Sequence, residues 1–200
     1  MAVAWTRHRF SGGVLALDAA NTVVLRGDPE RCFDRFAQAA ELPRFAAAAT
    51  GFRAAELGAR QLVVGDAEGV LPKVIAIREV TDRLCRHSAL SGGVATADLP
   101  GFLRACADGL AGHAEHVGMP ERPFGDPGKP LALEAALAVS ALSLLSADNL
   151  RRLRICPNCN WLFVDRSRNS SRLWCDMAVC GNRQKARRHY RRRKEEVSHV

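Results

Sequence analysis

The chain of 200 residues has no run of eighteen apolar residues, which excludes an ordinary single-helix membrane span. Near its start, Arg7, His8 and Arg9 have no long apolar block behind them, so the secretory-signal pattern is missing and a cytoplasmic location is expected. Residues 1–150 also lack a Gly-rich phosphate loop, a nucleophile elbow and a second metal-ligand motif, so no enzyme is expected. There are no internal repeats and no low-complexity tract besides a basic tail. Hydrophobic residues at 48% and charged residues at 25% lie near globular averages and exclude a disordered or fibrous chain.

Negative charge is what the last quarter lacks. Residues 151–200 hold 14 Lys/Arg against 4 Asp/Glu, whereas residues 1–150 hold 15 against 17. All of the net charge of +8 therefore sits in the last quarter, the footprint of a polyanionic partner. The length and this asymmetry predict two domains, residues 1–150 and residues 151–200.

Periodicity predicts a mainly α fold. Val14–Leu25 is a buried segment compatible with helix or strand. Asp28-Pro29 predicts a helix ending at Leu42-Pro43. Gly51–Gly65 reads as helical, Pro72 as the opening of a helix that ends near Gly92, and Leu99–Val117 as a helix weakened by Gly109 and Gly112. The four prolines and three glycines of Gly118–Pro130 predict a loop, and Leu131–Leu153 one long, buried helix.

Of seven cysteines, Cys32, Cys85 and Cys106 are scattered and read as buried small hydrophobes, while Cys156, Cys159, Cys175 and Cys180 crowd into 25 residues. Their spacing, C-x2-C-x15-C-x4-C, suits one tetrahedral zinc, because each close pair forms a turn whose thiolates converge. Four thiolates leave no open coordination position, so the metal is structural. Between the pairs, Asn160–Val164 and Arg172–Trp174 read as the strands of a hairpin around the polar turn Asp165–Ser171. A helix is expected from Arg183 to about Lys194, giving a treble-clef-like finger with Trp161, Phe163 and Trp174 in its core.

Cations decorate this unit in two sets. Arg166, Arg168 and Arg172 lie on the hairpin turn, and Arg183, Lys185, Arg187, Arg188, Arg191, Arg192, Arg193 and Lys194 on the final helix. Arg183, Arg187 and Arg191 share one stripe, Gln184, Arg188 and Arg192 the next, with Ala186, His189 and Tyr190 nearer the finger. Arginine forks match phosphate oxygens and the O6 and N7 edge of guanine, so nucleic acid is the expected partner. DNA is favoured over RNA, because the aromatics that RNA recognition would expose are assigned to the core. One finger covers little DNA, which predicts a homodimer through the N-terminal domain.

Cys180-Gly181-Asn182-Arg183 resembles the signature of the CGNR zinc fingers. The likeness runs from Arg154 to about Arg193 through Ile155-Cys156-Pro157-Asn158-Cys159, Trp161-Leu162-Phe163, Asp165-Arg166-Ser167-Arg168-Asn169 and Trp174-Cys175. Upstream, Leu17-Asp18 with Asn21-Thr22-Val23 resembles the start of the ABATE-type domain of stress-induced transcription regulators. The resemblance implies a mostly helical N-terminal domain, four cysteine zinc ligands, DNA binding and no established reaction.

Asp18, Asn21 and Thr22 interrupt one apolar segment and Arg78-Glu79 another. Buried polar groups need partners, so these residues form either a hydrogen-bonded polar core or a pocket for a small-molecule effector. For an enzyme, the available pairings are Asp18 with His87, or His113 with Glu115 and His116.

Overall fold

The computed structural model describes residues 3–113, 123–126 and 128–197, with side chains to Arg192. Val14–Leu25 holds both alternatives its composition allows: α1 (Leu15–Ala20), buried on every side, followed by the strand β1 (Val23–Val24). β1 pairs antiparallel with β2 (Phe33–Asp34), Val23 opposite Asp34. The helix expected from Pro29 to Leu42 is therefore absent. The Asp28 carbonyl accepts from the Arg31 and Cys32 N–H groups and closes one turn. Beyond it, β1 and the Thr22 carbonyl, which takes the Arg35 N–H at 3.1 Å, satisfy backbone groups that a helix would have paired internally.

α2 (Glu41–Phe52) begins where that helix was expected to end and carries Pro43 in its first turn, where no N–H is needed. Gly51–Gly65 is mostly turns, closed by β3 (Leu62–Val63), rather than helix. α3 (Ala67–Ser91) starts before Pro72: Asp66 caps it by accepting from the Glu68 and Gly69 N–H groups. It ends at Gly92, whose φ of +77° is a left-handed conformation that glycine adopts without a Cβ penalty. α4 (Leu99–Leu110) keeps Gly109 because a Cβ there would stand 2.6 Å from Ile77 Cδ1 and 3.0 Å from the Glu134 carbonyl oxygen. The remainder of the expected Leu99–Val117 helix beyond His113, and much of the Gly118–Pro130 loop, lie outside the described residues.

β4 (Leu131–Ala132) pairs in parallel with β3. The single helix expected over Leu131–Leu153 is instead two, α5 (Leu133–Ser143) and α6 (Ala147–Arg152). Serines account for the break: the Ser143 hydroxyl donates to the Ser140 carbonyl, and Ser146 accepts from the Asn149 N–H as the cap of α6. α5 is buried on all faces to Ala141, and α1, α3 and α4 pack around it.

β5 (Leu153–Ile155) and β6 (Leu162–Val164) form an antiparallel hairpin. The expected return strand over Arg172–Trp174 does not form, because β6 finds its partner before the first cysteine pair rather than after the turn. Alternation along the hairpin divides it between two cores. Leu153, Leu162 and Val164 join the helical core, while Trp161 and Phe163 join Cys156, Cys175 and Cys180. A π-helical turn (Met177–Gly181) then leads into α7 (Asn182–Val197).

The polar residues of the apolar segments tie these parts together. Asn21 behaves as one more strand residue, its Nδ2 donating to the Leu162 carbonyl and its Oδ1 accepting from the Leu162 N–H, both at 2.9 Å. Asp18 accepts from Arg53 Nε at 2.5 Å, Arg53 Nη2 at 2.8 Å and the Gly12 N–H at 2.8 Å. Arg78 reaches Asp34 at 2.7 Å, Glu79 at 2.8 Å and the Thr22 hydroxyl at 3.3 Å, and Glu79 also pairs with Arg26.

Beside this network, Glu56 accepts from the Leu15 N–H and the Ser140 hydroxyl, and burial pushes its carboxyl up to about 7. A raised carboxyl makes its full contribution to stability below the unfolded value of 4.5 and loses it as pH rises through about 7. Glu56→Gln is expected to flatten that slope and to raise stability near pH 8 by about 2–3 kcal/mol, read from urea melts at both ends of the range. An unchanged slope would mean that Glu56 stays ionised throughout.

Candidate metal centre and basic surface

Cys156–Asn160 forms a tight knuckle. The Asn160 N–H donates to the Cys156 carbonyl and the Cys156 N–H to the Trp161 carbonyl, both at 2.8 Å. Asn160 turns the chain with a φ of +61°, a region asparagine enters more readily than most residues. Arg86 on α3 clamps it from the helical side, donating to its carbonyl at 3.2 Å and its side-chain oxygen at 3.3 Å. The π-helical turn delivers Cys180 and is capped by Asp176, which accepts from the Ala178 and Val179 N–H groups. Asp176 is partly buried, yet a 2.9 Å contact from His8 and those two N–H groups hold its carboxyl below the usual range.

The four sulfurs converge. Cys159 Sγ lies 3.5 Å from Cys175 Sγ, which lies 3.7 Å from Cys180 Sγ, and all four fall within 4.8 Å of one another. A tetrahedron with Zn–S bonds of about 2.3 Å has edges of about 3.8 Å, so the set is placed to hold one zinc ion. The close approach of the sulfurs couples the thiols: hydrogen bonds among them pull Cys156 down and push Cys159 and Cys175 up, a conflict that a metal cation relieves by favouring the thiolate at every ligand. Burial instead pushes Cys85 and Cys106 up to about 12, leaving them protonated core fillers as expected. Cys32 departs from that expectation and is exposed, since the helix that would have buried it does not form.

Asp165 is fully buried and organises the turn after β6, accepting from the Ser167 and Arg172 N–H groups at 2.9 and 2.8 Å. That turn presents Arg166 and Arg168 to solvent. Arg172 is exposed too, and its guanidinium lies 5.2 Å from the Phe163 ring centroid and donates to the Cys175 carbonyl, so it also buttresses the cysteine centre. On α7, Arg183, Lys185, Arg187, Arg188, Arg191 and Arg192 are exposed, and among the described residues none of them forms an ion pair. Ala186, His189 and Tyr190, expected on the finger's side, are exposed as well, Tyr190 at 75%. From Asn182 to Arg192 every side chain of the helix is exposed except that of Gln184, which lies 3.5 Å from Asn158. The side chains of Arg193 and Lys194 lie outside the described residues.

Residues 152–193 match the CGNR zinc finger family. The match covers about a fifth of the chain and contains all four cysteines. No curated protein and no solved structure matches the chain. Around the CGNR finger, sequence reasoning overlooked the residues that the N-terminal segment supplies. His8 stacks on Trp161 at 5.0 Å, and the Arg35 guanidinium lies 5.4 Å from the same ring. The signal for His8 was the Arg7-His8-Arg9 cluster, which lies about 150 residues from the finger in sequence and gains meaning only through the fold; Arg35 carried none.

Asp18 is buried against Arg53, whereas His87 is exposed on α3. His113 lies 3.1 Å from Glu134, and Glu115 and His116 fall outside the described residues. No helix among the described residues is long and apolar enough to cross a membrane.

Proposed function

We propose that the protein is a cytoplasmic DNA-binding transcription regulator of the ABATE type. Zinc builds the CGNR finger, α7 and the Asp165 turn contact DNA, and residues 1–150 serve stress-linked regulation and pair two copies into a homodimer. The observation that carries this reading is α7 itself: arginines and a lysine stand along an exposed helix, without ion-pair partners among the described residues. A basic helix of that kind suits a major groove, and arginine suits both phosphate and guanine edges. The polar residues near Asp18 and Arg78 satisfy one another, which favours a structural role for them over a pocket for an effector.

The test is binding of the zinc-loaded full chain to duplex DNA selected from random sequence, followed across salt. With about five phosphates neutralised, log K should fall against log salt with a slope near −4.5. Arg188→Ala should reduce the magnitude of that slope by about one unit. A slope near zero would rule out phosphate tracking. One observation favours RNA as a second reading: Tyr190 stands exposed among the arginines, where it could stack on an unpaired base. Competition between duplex DNA and single-stranded RNA at matched salt separates the two, and Tyr190→Ala should weaken only RNA.

A further inference from the structure

A cleft of about 630 Å³ opens between the N-terminal segment and the finger. Its walls carry His8, Arg9, Arg31, Arg35, Arg183 and Arg187, and among the described residues no carboxylate lines it. Arg31 is exposed and pairs at the rim with Asp28 at 3.6 Å. The other four arginines have no ion-pair partner among the described residues; Asp34, the acid nearest Arg35 in electrostatic effect, is engaged by Arg78 at 2.7 Å. Arg35 is only 6% exposed, and among the described residues its guanidinium donates a single 3.3 Å hydrogen bond, to the Asn21 carbonyl. Two further buried donors of the walls, Arg9 Nε and Trp161 Nε1, have no hydrogen-bond partner among the described residues.

Such crowding is unfavourable in an empty protein. Burial and the neighbouring Arg9 push Arg35 down to about 10, and burial and Arg183 push Arg9 down as well. A zinc tetrathiolate nearby carries two formal negative charges, fewer than the four unpaired arginines. Donors without acceptors and cations without counter-charges converging on one cleft are together the complement of a multiply charged anion.

We propose that this cleft binds a phosphate group, held by Arg9 and Arg35 from the N-terminal domain and by Arg183 and Arg187 from α7. Because the two sets come from different parts of the chain, the bound group also fixes the base of α7 against the helical domain. The phosphate can belong to a free phosphorylated molecule or to a nucleic-acid backbone. The site itself does not depend on the DNA reading above.

The test is calorimetric titration of the zinc-loaded full-length protein with pyrophosphate at fixed ionic strength. One pyrophosphate per chain is expected, with affinity lowered about tenfold or more by Arg9→Ala and by Arg187→Ala. Arg192→Ala, farther out on the same helix, should leave affinity within about twofold. Arg187 is exposed, so its variant decides the matter if Arg9→Ala fails to fold. The same variants are then assayed with duplex DNA. Pyrophosphate competing with the duplex, and a matching loss of duplex affinity in Arg9→Ala, assigns the cleft to a backbone phosphate. Unchanged duplex affinity beside specific pyrophosphate binding assigns it to a free anion. If duplex DNA does not bind at all while pyrophosphate does, the site stands and the DNA reading falls. Pyrophosphate binding insensitive to Arg9→Ala and Arg187→Ala, or none together with unchanged duplex affinity, overturns the proposal.

Discussion

Chelation of zinc, or replacement of Cys175 by serine, is expected to unfold the CGNR finger while leaving the helical core folded. A structural zinc site contributes about 10–16 kcal/mol of apparent binding free energy, and the finger has little else to hold it. Its core is three of the four cysteines with Trp161 and Phe163. The loss should stop at a definite line. β5 and β6 also place Leu153, Leu162 and Val164 in the helical core, and Asn21 holds Leu162 by two hydrogen bonds. Hydrogen exchange should therefore show the Cys156 knuckle, the π-helical turn and the start of α7 losing protection, with the β5–β6 pairing and α5 keeping theirs. A Cys175→Ser protein with full zinc content and unchanged protection at the knuckle would refute the assignment.

Asp18→Ala is expected to be among the most destabilising substitutions of a polar residue in residues 1–150. Asp18 is 1% exposed and neutralises Arg53, whose side chain is itself mostly buried. Removing one partner of such a pair leaves a buried charge without compensation, which costs about 3–5 kcal/mol. Glu56 stands 3.9 Å from Arg53 and can take over part of the charge, which places the result toward the lower end. For a chain of this size the corresponding fall in melting temperature is roughly 6–20 °C. Asp18→Asn keeps the shape and one acceptor and should lose less. A side chain held in reserve for a ligand would behave in the opposite way, and a neutral or stabilising Asp18→Ala would return the residue to the list of candidate binding groups.

The metal centre was legible because its information is local. Each cysteine pair closes its own turn, the spacing between pairs admits a hairpin, and four thiolates have one common coordination chemistry. The exposed arginines of the turn and of α7 were legible for the same reason, since solvated charge on a helix needs no tertiary partner. Helices whose caps and periodicity agree, such as the C-terminal half of α3 ending at Gly92, could also be placed from the residues alone.

Sequence by itself thus determined the mainly helical class, the four cysteines that hold zinc and the concentration of cations around them. Tertiary structure decided the rest, where local preference met competition. Asp28-Pro29 starts a turn, but pairing with β1 outweighs its continuation as a helix. Serines capable of bonding to their own backbone divide α5 from α6, while the apolar pattern runs on without a mark. The partner of β6 was misassigned because either flanking segment had strand composition, and only burial of Leu153 in the helical core distinguishes them. The basic cleft is the extreme case. Arg9 and Arg35 are unremarkable cations in the sequence, and their meaning comes from being brought within electrostatic reach of one another and of Arg183, a long-range juxtaposition that no local pattern encodes.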